Sequence, residues 1–147
     1  MKKNIILGIA LLGFVFTGRA QNKKEWYELK IYSLDKPGQE NRVEDFLKNA
    51  YLPALHKQGI KSVGVFKPLE TDSAYGKKLY ILTAYNSFEQ YSSLAGNLNK
   101  DKDYLNQGKG YLEATHDNTP FSRIQSILLQ AFPNHPNMKT PKLKGAR

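Results

Sequence analysis

The hydrophobic pattern changes period several times along the chain. It opens with a run of apolar residues from Ile5 to Phe16, broken only by Gly8 and Gly13. From Glu25 to Leu34 the residues alternate: Tyr27, Leu29 and Ile31 fall on one side, and Trp26, Glu28, Lys30 and Tyr32 on the other. A period of two predicts a strand, and Asp35-Lys36-Pro37-Gly38 ends it as a turn. Between Gln39 and Gln58 the spacing becomes helical, with Val43, Phe46, Leu47, Ala50, Tyr51, Ala54 and Leu55 in one stripe. Pro53 lies inside that stripe and removes a backbone donor, so a kink or restart is expected near Tyr51 and Leu52. Gly59 follows as a left-handed C-terminal cap.

Residues 60–69 and 78–85 read as two further strands, paired as a hairpin across the polar stretch 70–77. Ser87 is placed as the N-cap of a helix whose buried side carries Phe88, Tyr91, Leu94, Ala95 and Leu98. A second helical stretch, 101–114, is weakened by Gly108 and Gly110. A last strand spans 121–132. Beyond it Pro133, Pro136 and Pro141 leave no periodic pattern, so 133–147 is read as a Pro- and Lys-rich linker or disordered tail.

The order is β-α-β-β-α-β, the ferredoxin-like arrangement of the α+β class: a four-stranded antiparallel sheet with helices on one face. The bare face is expected to carry Trp26, Tyr32, Ile81 and Tyr85. An apolar face of that size on a small domain calls for a cover. Sheet-to-sheet pairing of two copies, closing a dimeric α/β barrel, is the economical one.

The opening run has its own reading. Lys2 and Lys3 precede it, and Gly18 and Ala20 supply small residues at a cleavage site, the order of a secretory signal peptide. The run is shorter than the roughly 20 residues a membrane-spanning helix needs. Residues 1–20 are therefore expected to be cleaved near Ala20-Gln21, leaving no stable membrane span. The mature chain would then be exported to a bacterial periplasm or the extracellular space. With no cysteine in the sequence there is neither a lipid anchor nor a disulfide framework, so packing or association must supply stability.

Charge argues against one class of partner. The formal net charge is +9, but Lys2, Lys3 and Arg19 account for three of those charges, leaving +6. Lys139, Lys142, Lys144 and Arg147 account for four more, leaving +2 for residues 21–132. Such a body has no electrostatic footprint for nucleic acid.

Specific residues add a family. Tyr27-Glu28-Leu29-Lys30-Ile31-Tyr32, then Leu52-Pro53-Ala54-Leu55-His56-Lys57-Gln58-Gly59, Val63-Gly64-Val65-Phe66 and Leu79-Tyr80-Ile81-Leu82 follow in the order and spacing of the NIPSNAP family. The domain from about Glu25 to Phe132 thus resembles that family, a branch of the dimeric α/β-barrel superfamily. The resemblance implies the barrel and its dimer. Exported members of this kind often continue into a second, similar domain, so the chain is read either as a fragment or as a single-domain member.

Candidate chemistry is sparse. Glu28 and Lys30 share a strand face with Trp26 and Tyr32 and are expected to point into the space between sheets, as an acid–base pair or as an ion pair fixing register. Tyr85, His56 near a helix end and Arg123 on the last strand complete the ligand-cavity candidates. Neither metal-ligand spacing nor a phosphate-cradling glycine loop stands out, and no cofactor is implied. The expected function is a non-enzymatic, dimeric binding or assembly module with room for a small apolar or amphipathic ligand. The alternative, by fold-level analogy, is a cofactor-independent monooxygenase or haem-handling enzyme with Trp26, Glu28, His56 and Tyr85 around the cavity.

Overall fold

A computed structural model describes residues 24–139. The expected signal peptide, residues 1–20, and the end of the basic tail lie outside the described residues. Strand β1 (Trp26–Ser33) leads to helix α1 (Gln39–Phe46), a π-helical turn (Leu47–Tyr51) and helix α2 (Leu52–Lys57). Strands β2 (Val63–Phe66) and β3 (Lys78–Tyr85) follow, then helices α3 (Phe88–Leu98), α4 (Lys102–Gln107) and α5 (Lys109–Leu112), and strand β4 (Arg123–Gln130). The strands form one sheet in the order β2-β3-β1-β4. Every neighbouring pair is antiparallel, which is the ferredoxin-like topology.

The expected break in the first helix is a π turn. An α-helix would ask residue 53 to donate to the carbonyl of residue 49, and Pro53 has no proton to give. The chain widens instead, and the Leu52 N–H reaches back five residues to the Leu47 carbonyl. Such turns occur often at functional sites, and this one ends on Tyr51. Gly59 closes the helical segment with φ of 77°, a left-handed value that suits glycine.

One expectation is reversed. The face of β1 that carries Trp26, Glu28, Lys30 and Tyr32 packs under the helices and is not the bare one. Its neighbours across the β1–β3 register are Tyr85, Thr83, Ile81 and Leu79. These four are buried together with Val43, Phe46, Tyr51 and Leu55 of the helical layer. The reason lies in the polar ends. Buried charges and hydroxyls need hydrogen-bond partners, and the helices and their following loops provide them: Tyr51 for Lys30, and Tyr111 for Tyr32. The opposite face is formed by Tyr27, Leu29, Ile31, Tyr80, Leu82, Ile127 and Leu129, with Gln125 opposite Ile31, and is mainly apolar.

The segment after β4 turns back on β1. The Phe132 carbonyl accepts from His135 N–H, the Pro136 carbonyl accepts from Glu25 N–H, and the Met138 N–H donates to the Glu25 carboxylate at 2.7 Å. Tyr27 donates to the same carboxylate.

Candidate functional site

The polar centre of the domain is built on β1. Glu28 is nearly fully buried. Its Oε2 accepts from the Tyr85 hydroxyl at 2.9 Å, and its Oε1 accepts from the Ser126 hydroxyl of β4 at 2.6 Å. Lys30 Nζ lies 3.4 Å from Glu28 Oε2 and donates to the Tyr51 hydroxyl at 2.8 Å. Burial works against the Lys30 ammonium, but the Tyr51 oxygen and the Glu28 carboxylate outweigh it, and its pKa is raised. Burial, then the neighbouring Tyr51 and Glu28 oxygens, push the Tyr85 phenol far above its ordinary value. Both shifts favour a charged Lys30 beside a protonated Tyr85 phenol.

Above this floor a cavity of about 350 Å³ opens between the sheet and the helices. Glu28 and Lys30 line its base, Tyr51 and Tyr104 one wall, and Tyr91, Leu94, Ala95 and Leu98 of α3 the other, with Ser92 and Asn99 near the rim. Two caps position these walls. The Ser87 hydroxyl accepts from Gln90 N–H and starts α3. The Asp101 carboxylate accepts from the N–H groups of Asp103 and Tyr104 and starts α4. Asp101 also pairs with Lys57 at 3.1 Å, which ties α4 to the end of α2. Burial pushes the Tyr104 phenol up to about 12. A charged, hydrogen-bonding floor under aromatic and aliphatic walls is the arrangement of a small-molecule site.

No family model matches the chain, and no curated protein matches it. Solved structures do. A NIPSNAP family protein of unknown function from Agrobacterium tumefaciens superposes with a TM-score of 0.55 at 12% identity, over 74% of this chain and 88% of its own. A second NIPSNAP family protein from that organism gives 0.56 at 14% identity, over 76% and 97%. An uncharacterised NIPSNAP-like domain protein from Burkholderia xenovorans gives 0.55 at 16% identity, over 83% and 93%. The fold is the NIPSNAP fold. At these identities the likeness is one of architecture: a four-stranded antiparallel sheet with helices in ferredoxin-like order.

Within this NIPSNAP fold the residues singled out from sequence separate into three groups. Glu28, Lys30 and Tyr85 come together at the floor. Tyr32 is one step further along the same face, its hydroxyl 2.9 Å from that of Tyr111 and its ring 5.5 Å from Phe121. Trp26 sits at the other end of the strand, 5.1 Å from the Phe88 ring. His56 and Arg123 do not join them. His56 is exposed near the end of α2 and does not line the cavity. Arg123 is exposed at the start of β4 and does not line the cavity. The enzyme alternative that set His56 beside the cavity therefore loses that residue. Glu28 and Lys30 face helices, so the space they line lies between the sheet and the helices of this chain and not between sheets.

Sequence reasoning missed Tyr51, Tyr91, Tyr104 and Ser126 as parts of the site. Tyr51 and Tyr91 carry a usable signal: each lies on a helical stripe already assigned to the core, with a hydroxyl that must find a partner there. Ser126 carries none, because a lone serine in a strand is commonplace. Among the described residues no group of three His, Cys, Asp or Glu side chains could hold a metal ion, and no helix is long and apolar enough to cross a membrane.

Proposed function

We propose that the protein is an exported binding module of NIPSNAP-like fold that works as a homodimer and holds a small amphipathic molecule between its sheet and its helices. The observation that carries this reading is the division of the sheet. One face bears the charged floor of a cavity, and the other is an apolar surface with no helix over it.

On that second face Ile127 is 42% exposed, Leu129 46% and Phe66 of the edge strand 54%. They adjoin Leu29, Ile31, Tyr80 and Leu82 through the strand register. A contiguous patch of this kind marks an interaction surface. A twofold axis through it sets identical aliphatic rows against each other and closes the core between two sheets.

Light scattering of the purified protein at micromolar concentration is expected to give twice the chain mass. Leu29→Lys with Leu82→Lys should give a folded monomer. A wild-type monomer would overturn the dimer. Export is supported by the Lys2-Lys3 start, the apolar run and the small residues at 18 and 20. Mass spectrometry of the protein recovered from a bacterial periplasm should find Gln21 at the N-terminus, and retention of the intact chain in the cytoplasm would refute export.

A further inference from the structure

We propose that the cavity is selective for small amphipathic monocarboxylates, whose acid group is held by Lys30 Nζ and the Tyr51 hydroxyl while the apolar body lies between Tyr91, Leu94, Leu98 and Tyr104. The inference rests on the ligand-binding reading above and names the class of ligand.

The count of hydrogen-bond donors leads to it. Glu28 is the one acid among the lining residues and Lys30 the one cation. Glu28 already accepts from Ser126 at 2.6 Å on Oε1 and from Tyr85 at 2.9 Å on Oε2, with Lys30 beside the second, so three of its roughly four acceptor sites are used. An incoming amine would find a carboxylate whose charge Lys30 already offsets. The donors are in the opposite condition. A lysine ammonium carries three protons and accepts none. One goes to Tyr51 and one faces Glu28, which leaves a third for the cavity. The Tyr51 hydroxyl accepts from Lys30 and so keeps its own proton to give. Lys30 and Tyr51, which both line the cavity, thus have one proton each to give, and a carboxylate oxygen suits a charged donor best.

Charge and size narrow the class. Lys30 already offsets Glu28, so a phosphate would leave close to two unopposed negative charges at the floor. A monocarboxylate brings one. About 350 Å³ is near the lower end of ligand cavities, enough for one or two rings or a short chain. The rim is also permissive. Ser92, Ala95 and Asn99 recur at three- and four-residue spacing on α3, and Ala95 is exposed. A small side chain there leaves the entrance open.

Calorimetric titration of the purified protein with 2-naphthoate and with its neutral analogue 2-naphthamide tests this. The acid is expected to bind roughly tenfold more tightly than the amide, the effect of one charge-assisted hydrogen bond. Lys30→Met should bring the two to parity, and Tyr51→Phe, which keeps the ring, should weaken naphthoate several-fold. Ala95→Trp, at an exposed helical position, should abolish binding of both with the thermal melt unchanged. Equal affinity for acid and amide in the wild type would overturn the carboxylate selectivity and leave cavity binding standing. Failure of both compounds to bind at millimolar concentration would overturn both readings. Naphthoate binding untouched by Ala95→Trp would place the ligand elsewhere and overturn the proposal, and an unchanged affinity in Tyr51→Phe would refute the head-group placement even if Lys30→Met does not fold.

Discussion

Replacing Lys30 by methionine removes the ammonium and keeps most of the side chain's length, which isolates the charge at the floor of the cavity. At 3.4 Å from Glu28 the gross attraction at an effective dielectric near 20 is about 5 kcal/mol. Desolvation of both groups offsets much of that. Removing one partner of a fully buried pair typically costs about 3–5 kcal/mol. Two features lower the figure here: the Lys30 side chain is 21% exposed, and the Glu28 carboxylate keeps its bonds from Tyr85 and Ser126. The expected cost is about 2 kcal/mol. For a domain of this size that lowers Tm by roughly 8 °C. Urea denaturation at fixed protein concentration, followed by the fluorescence of Trp26, the single tryptophan, reads it directly. A double-mutant cycle adds the decisive comparison. Glu28→Gln with Lys30→Met should be more stable than Lys30→Met alone, because the unpaired carboxylate is gone. A Lys30→Met protein within about 0.5 kcal/mol of wild type, the range of an ordinary surface change, would refute the buried pair, as would costs that simply add.

Three other outcomes follow from the packing. Gly108→Ala would place a Cβ 2.7 Å from the Tyr104 carbonyl oxygen, 3.0 Å from Leu112 and 3.1 Å from Phe46, so thermal melts should show a loss of about 1–3 kcal/mol; a neutral effect would contradict the close approach. Burial, aided by Glu25, raises the Tyr27 phenol to about 12, and burial does the same for Tyr104. A raised phenol stabilises the fold fully below the unfolded value near 10 and loses that contribution as pH climbs through the folded one. Phenolate absorbance should therefore show a phase near pH 12 that accompanies loss of circular dichroism, and complete ionisation in one step near pH 10 would contradict it. Asp101 is held below the usual carboxylate range by Lys57 and by the Tyr104 backbone N–H. Its contribution is present above the unfolded value and lost as pH falls through the lower folded one, so Asp101→Asn should destabilise at neutral pH and cease to matter in acid.

The element order was legible because each period is unambiguous over its length. The alternation of Trp26 to Tyr32, the stripe from Val43 to Leu55 and the Ser87 cap all lie where the pattern places them. The ends of strands were less so: residues 60–69 read as one strand, but only Val63–Phe66 pair with β3, since apolar character alone does not say where the ladder stops. Gly108 read as a weak point in a helix. It stands between α4 and α5 with an ordinary negative φ, and what excludes a side chain is Phe46 and the Tyr104 carbonyl, contacts invisible in one dimension.

The exchange of faces has the deeper cause. Both sides of β1 carry large apolar groups, and a strand's period of two separates the sides without naming them. What distinguishes them is that Lys30 needs a buried acceptor, which Tyr51 of the helical layer supplies, while Glu28 is satisfied within the sheet by Tyr85 and Ser126. Hydrogen-bond satisfaction thus adds to apolar packing in orienting the sheet. The consequence reaches the dimer. Sheet pairing was first argued from Trp26, Tyr32 and Tyr85, all of which the helices cover. The face left bare instead is mainly aliphatic, with Leu29, Ile31, Leu82, Ile127 and Leu129 beside Tyr27, Tyr80 and Gln125, and its aliphatic side chains need no hydrogen-bond partner. The proposed pairing of two sheets would use these aliphatic rows as its seam, and would leave the charged face to line a cavity within each copy.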